Sequence, residues 1–140
     1  MPIQETGTRV CIIEPYRDIR DLLKEVLVFD LNVPERRVST ITNHDQREKF
    51  FQEAERLGTY PDLVILDLRQ AEDLAVLDDI RNRQTPLKNV PVITTSTDET
   101  LKRQSLEHGA NAFFAKPYDI FALEKAAREY LYPSSRLQAA

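Results

Sequence analysis

Short apolar runs alternate along this chain with longer segments in which apolar positions recur every three or four residues. Val10-Cys11-Ile12-Ile13, Leu63-Val64-Ile65-Leu66 and Val90-Pro91-Val92-Ile93-Thr94 are near-continuous apolar runs. Val38 to Ile41 alternates through Ser39 and Thr40, and Phe113-Phe114-Ala115 is shorter. Length and β-branched content predict a strand at each. Runs that are apolar at every position suit strands covered on both faces by helices.

The intervening segments predict helices. Asp18 opens the first, with Ile19, Leu22, Leu23, Val26 and Leu27 on one face; Val28, Phe29 and Leu31 break the spacing and Pro34 closes it. Asn43 with Gln46 suits a capped start for the second, whose face is Phe50, Phe51, Ala54 and Leu57 and whose stop is Gly58. The third spans Asp73 to Arg83 with Leu74, Leu77 and Ile80 inward, and the fourth Asp98 to His108 with Gly109 as its stop. Asp119 caps a fifth that carries Leu123, Ala126, Ala127 and Tyr130 and ends before Pro133. Strand–helix alternation of this kind predicts an α/β fold: a doubly wound, five-stranded parallel sheet with five helices on both faces. The boundaries read as a flexible N-terminus at 1–8, one domain at 9–132 and a C-terminal tail at 133–140. With no output domain read after Tyr132, a signal must leave through a surface.

Composition narrows the partners. A net charge of −4, from 23 acids and 19 bases, gives no basic footprint for nucleic acid or an anionic membrane. No apolar run approaches the roughly 20 residues of a membrane span. Met1 to Thr8 is polar, without a signal-peptide core, and Cys11 has no second cysteine to pair with; both favour a cytoplasmic location. Cys11 itself reads as a small core residue. His44 and His108 lack metal-ligand spacing and read as surface residues, His108 at a helix end where the dipole favours it.

Four strands end on reactive polar residues: Glu14, Asp67, Ser96 and Lys116. In a parallel sheet the carboxyl ends lie along one edge, so the four can meet. An exposed carboxylate such as Asp67 can attack a phosphoryl group and form an acyl phosphate. That step gathers negative charge and calls for cations, here Lys116 and a divalent metal ion.

Leu63-Val64-Ile65-Leu66-Asp67-Leu68, Pro91-Val92-Ile93-Thr94-Thr95-Ser96 and Phe113-Phe114-Ala115-Lys116-Pro117-Tyr118, in that order after Glu14, resemble the motifs of response-regulator receiver domains of two-component signalling. The resemblance covers Arg9 to Leu131 and implies a flavodoxin-like strand order 2-1-3-4-5. It implies Asp67 as phosphoacceptor, Lys116 as the cation that pairs with the phosphoryl group, Ser96 as switch hydroxyl and Phe113 as switch aromatic. The donor would be a sensor histidine kinase or a phosphotransfer protein. Mg²⁺ would be held by Glu14, Asp67 and the Arg69 backbone carbonyl. The face of helix four, strand five and helix five, including Lys102, Arg103, Phe121 and Lys125, would meet an output protein or a second copy of the chain. The expected role is signalling rather than enzymatic.

Two departures stand out. Receivers place two adjacent acids after the first strand, where this chain has Glu14-Pro15, so the usual second metal ligand is missing. The Pro and Asp-Gly of the link after the phosphoacceptor are absent from Leu68 to Asp73, and that link is about two residues short. Arg17, Arg20 and Arg69 lie near the acidic edge, where a guanidinium can neutralise Glu14 and Asp67 in place of a metal. Ser96 with Glu99 also has capping-box spacing, so cap and switch compete for one hydroxyl. Three functions therefore stand side by side: a phosphorylatable receiver, a degenerate receiver that binds partners without phosphate, and a nucleotide or flavin enzyme. The last is disfavoured, because Gly7, Gly58 and Gly109 form no phosphate loop and Glu14 would repel a phosphate after the first strand.

Overall fold

The structure, a computed structural model, describes residues 7–133. The expected flexible start and tail therefore fall, apart from residues 7, 8 and 133, outside the described residues. Five strands, β1 (Val10–Ile13), β2 (Val38–Ile41), β3 (Leu63–Asp67), β4 (Val92–Ser96) and β5 (Ala112–Ala115), form one sheet in the order β2-β1-β3-β4-β5. All four pairings are parallel. Five α-helices connect and flank them: α1 (Arg17–Glu25), α2 (His44–Leu57), α3 (Leu74–Arg81), α4 (Leu101–Glu107) and α5 (Ile120–Leu131).

Side chains alternate across each strand, so the sheet has two cores. Cys11, Val64, Leu66 and Val92 face α2, α3 and α4, meeting Phe51, Leu77, Ile80 and Leu101. Val10, Ile12, Ile65 and Ile93 face α1 and α5, meeting Leu23, Leu27, Leu123 and Ala127. Each strand of the middle three is thus buried on both sides, as its unbroken apolar run requires. Cys11 is a core residue, and burial pushes its thiol pKa far up.

Several boundaries differ from the sequence expectation. β4 starts two residues later, because Val90 closes a 3-10 turn (Pro86–Asn89) and Pro91 lacks an N–H. It then continues through Thr94, Thr95 and Ser96, all fully buried. α3 ends at Arg81 rather than Arg83, whose guanidinium instead pairs with Glu55 and Asp79. After α1 the chain widens into a π-helical turn, Val26–Asp30, closed by Leu31 N–H to Val26 O at 3.1 Å. The wider turn keeps Leu27 and Leu31 inside and leaves Phe29 80% exposed. This is where the apolar spacing falters in sequence. Leu22 and Leu57, expected on core faces, are also exposed. Asn43 caps α2 by accepting from Gln46 N–H, while the Gln46 side chain accepts from Thr42 rather than closing a capping box. His108 is not a free surface group: its Nδ1 lies 2.7 Å from Asp78 Oδ1 on α3.

Candidate functional site

The parallel register places the strand ends in one row. Ile13 pairs with Leu66, Asp67 with Thr95, and Ser96 with Ala115. The ladder runs one step further, through Glu14 N–H to Ile41 O, Leu68 N–H to Thr95 O and Lys116 N–H to Ser96 O. Glu14, Asp67, Ser96 and Lys116 are therefore held at one edge by backbone hydrogen bonds.

Three of the four meet. Lys116 Nζ lies 3.0 Å from both Glu14 carboxylate oxygens and 2.8 Å from Asp67 Oδ1. The two acids are buried, with Glu14 only 2% and Asp67 only 7% exposed. Thr95 Oγ1 donates to Asp67 Oδ1 at 3.2 Å, Tyr16 N–H donates to Glu14 Oε1 at 3.3 Å, and the Tyr16 ring lies 5.3 Å from Nζ. Two carboxylates thus share one ammonium. Burial, then the charge of Asp67, raises the Glu14 pKa, and the Lys116 contact opposes them. The same burial and the same two acids push the Tyr118 hydroxyl up to about 12, so it stays neutral.

A stability prediction follows from the sign of the Glu14 shift. A carboxyl that binds its proton more tightly when folded loses stability as pH rises from its ordinary value of 4.5 through the raised folded value. Glu14→Gln keeps an oxygen for Lys116 and removes the excess charge. At pH 7 this variant is expected to be more stable than the wild type. The gap should close as pH falls below that window, as urea unfolding at several pH values would reveal.

Ser96 is at the edge but outside the triad. Its buried Oγ donates to Leu68 O at 2.6 Å and accepts from Asp98 N–H at 3.0 Å. The capping box with Glu99 does not form, and α4 starts at Leu101, after a turn in which Asp98 Oδ1 accepts from Thr100 N–H. Phe113, on β5 beside Thr94, is half-buried against the core formed with α2, α3 and α4.

The arginines do not neutralise the acids as expected. The Arg20 guanidinium donates to the backbone oxygens of Glu14 and Pro15, at 3.0 and 2.8 Å. Arg17 is exposed and lies 3.7 Å from Asp21. Among the described residues, Arg69 forms no ion pair with Glu14 or Asp67. Its backbone N–H donates to Asp73 Oδ2 at 2.7 Å, which pins the short loop after Asp67. Sequence reasoning passed over Thr95 and Tyr16, because their contacts depend on strand register and on the turn at Pro15.

Two clefts open onto Asp67. One, of about 400 Å³, is lined by Tyr16, Arg69, Gln70, Asp73, Thr97 and Lys116. The other, of about 320 Å³, runs past Glu14 and Pro15 to Asn43, His44 and Arg47 on the α2 side, with Arg69 again on its wall.

Residues 10–128 match the response regulator receiver domain family. The chain belongs to that family. Among solved structures it is similar to the phosphorylated cyanobacterial phytochrome response regulator RcpA, with a TM-score of 0.74 at 20% identity over 92% of this chain and 96% of that one. It is also similar to the receiver domain of a DNA-binding response regulator from Colwellia psychrerythraea, with a TM-score of 0.70 at 20% identity over 87% and 96% of the two chains. A third is the receiver domain of a signal transduction histidine kinase from Syntrophus aciditrophicus, with a TM-score of 0.71 at 24% identity over 89% of each chain. No curated protein matches the chain.

Receiver domains generally bind Mg²⁺ in their acidic site. Mg²⁺ demands a near-ideal octahedron of oxygens. This receiver offers two carboxylates, both already bonded to Lys116, and the Arg69 carbonyl. Pro15 brings no acid, and its carbonyl oxygen is held by Arg20. Among the described residues no three His, Cys, Asp or Glu side chains are grouped to hold a metal ion. The donor set does not fit the metal. No helix of the described residues is long and apolar enough to cross a membrane.

Proposed function

We propose that this receiver takes a phosphoryl group onto Asp67 from the phosphohistidine of a sensor histidine kinase or phosphotransfer protein, and signals through an altered protein-binding surface. One observation carries the reading: Asp67 lines an open cleft, and its contacts to Lys116 and Thr95 both fall on Oδ1. Oδ2 is the nucleophile. It bonds to phosphorus as the phosphorus–nitrogen bond of the donor breaks, and that electron pair returns to the imidazole nitrogen. The product is an acyl phosphate, whose added negative charge Lys116 meets directly.

Transfer of the signal rests on Ser96. To reach a phosphoryl oxygen its hydroxyl must leave Leu68 O, and the Asp98 N–H must find another acceptor. Ser96 sits between the site and the turn that leads into α4, so its movement shifts that turn. Phe113 on the neighbouring strand takes up the space. The face that changes carries Lys102 and Arg103 on α4 and Lys125 and the 75% exposed Phe121 on α5, and it would receive the output protein or a second copy of the chain.

Incubation with acetyl phosphate and Mg²⁺, followed by intact mass measurement, tests the reading. Wild type is expected to gain one phosphoryl group and Asp67→Asn none. The second reading, a phosphate-independent interaction module, is favoured by the Lys116 bridge that engages both acids and by Pro15. An unmodified wild type, with acetyl phosphate and with a cognate kinase, would establish that second reading instead.

A further inference from the structure

We infer that the phosphoryl group on Asp67 is held by guanidinium groups in place of a divalent cation, with Arg47 and Arg69 forming the anion subsite beside Lys116. The inference rests on Asp67 being the phosphoacceptor.

The cleft of about 320 Å³ is where the argument starts. Its walls bring the acidic edge of the sheet, at Asp67, together with Arg47 one turn into α2 and with Arg69 from the loop after β3. Arg47 is held rather than solvated: its side chain is only 16% exposed, and its NH2 group lies 2.6 Å from His44 Nδ1. Among the described residues its buried Nε has no hydrogen-bond partner, as holds also for the Arg37 and Arg83 Nε. A buried N–H without an acceptor is uncommon, and a guanidinium cannot shed its charge to escape the cost. Arg47 lines the same cleft as Asp67, where an anion would meet its charge. Among the described residues its ion-pair partner is Glu48, at 4.0 Å from NH2, a long and weak contact.

Arg69 adds the second guanidinium. It is exposed and lines both clefts that open on Asp67. Its backbone is fixed by Asp73, which accepts from the N–H groups of Arg69 and Gln70 at 2.7 and 3.2 Å. A long cationic side chain thus leaves a pinned base two residues from the phosphoacceptor. Planar forked donors suit phosphate oxygens, which can take two parallel hydrogen bonds from one guanidinium.

Once Asp67 is phosphorylated, the doubly charged phosphoryl group, Glu14 and Asp73, which lines both clefts, carry four negative charges together. Lys116, Arg47 and Arg69 offset three of them. Pro15, by bringing no acid, removes the further negative charge that a divalent cation would otherwise offset.

The test uses ¹H–¹⁵N spectra of the full chain in EDTA. Titration with inorganic phosphate is expected to give saturable shifts at Arg47, Arg69 and Lys116. Arg47→Gln and Arg69→Gln are each expected to weaken that binding about tenfold. Mg²⁺ alone should leave Glu14, Asp67 and Arg69 unmoved. In parallel, acetyl phosphate should modify Asp67 at the same rate in EDTA as in Mg²⁺, and more slowly in either arginine variant. Saturable Mg²⁺ shifts at Glu14 and Asp67, or modification only when Mg²⁺ is present, would overturn the inference and leave Asp67 as phosphoacceptor intact. Phosphate shifts that persist unchanged in both variants would overturn the subsite. Absence of modification in either buffer and with a kinase would overturn the phosphoacceptor reading itself, and the inference with it.

Discussion

Lys116→Met is expected to cost this receiver about 3–5 kcal/mol of stability at pH 7. The size follows from what the ammonium holds. It lies 2.8 Å from Asp67 and 3.0 Å from Glu14, and both acids are largely buried. Without it, two like charges remain buried side by side, and Thr95 Oγ1 and Tyr16 N–H are the neutral donors left to them. Neutral donors do not cancel charge, so the fold must protonate an acid or open the edge of the sheet. The deficit should therefore shrink as pH falls and the carboxyls take up protons. Urea unfolding at neutral and acidic pH reads both. A neutral-pH midpoint equal to wild type would mean that the triad contributes nothing to the fold. Glu14→Gln in the Lys116→Met background should recover part of the loss, because it removes one of the two stranded charges.

The second large effect is expected away from the triad, at Arg81. Its guanidinium ties the start of β4 to the turn before β5. NH1 donates to Lys88 O and Val90 O at 2.8 and 2.7 Å. Nε and NH2 donate to Gly109 O at 3.1 and 2.7 Å, and NH2 also reaches Asn111 Oδ1 at 3.1 Å. Asn111 Oδ1 in turn accepts from Val92 N–H at 2.8 Å. Arg81→Ala leaves several carbonyl oxygens without their donor and is expected to cost about 3 kcal/mol. Arg81→Lys should recover little, because a point ammonium cannot fork to acceptors on both sides. Gly109 belongs to the same clasp: at φ +107° an added Cβ would meet Arg81 Nε at 2.9 Å. Chemical denaturation measures these effects. A loss below about 1 kcal/mol in Arg81→Ala would show that water replaces the guanidinium. The clasp matters to the site because β4 and β5 carry Ser96 and Lys116 to the common edge.

The parts of the fold that sequence made legible are those decided by local pattern. The unbroken apolar run at Leu63–Leu66 required burial on both faces, and the structure covers β3 with α1 and α5 on one side and α2, α3 and α4 on the other. Asn43 and Asp119 cap their helices as short polar residues do before an apolar-periodic segment. What failed was set by tertiary contact. Ser96 has cap spacing, but the carbonyl of Leu68, brought alongside by β3–β4 pairing, captures its hydroxyl. Arg20 sits near the acids in sequence, yet its helical position aims it at the backbone of Glu14-Pro15. Arg81 carries no sequence signal, since its partners Gly109 and Asn111 lie far along the chain. The four polar strand ends were readable as candidates; which of them touch depended on register.

The most direct measurement of the central claim is chemical mapping of the acyl phosphate. Chain treated with acetyl phosphate is reduced with borohydride, which converts a phosphorylated aspartate to homoserine, then digested and sequenced by tandem mass spectrometry. The account predicts homoserine at position 67 alone, with Asp62, Asp73 and Glu14 unchanged. An unmodified Asp67 under these conditions, with modification at another acid or at none, would contradict it.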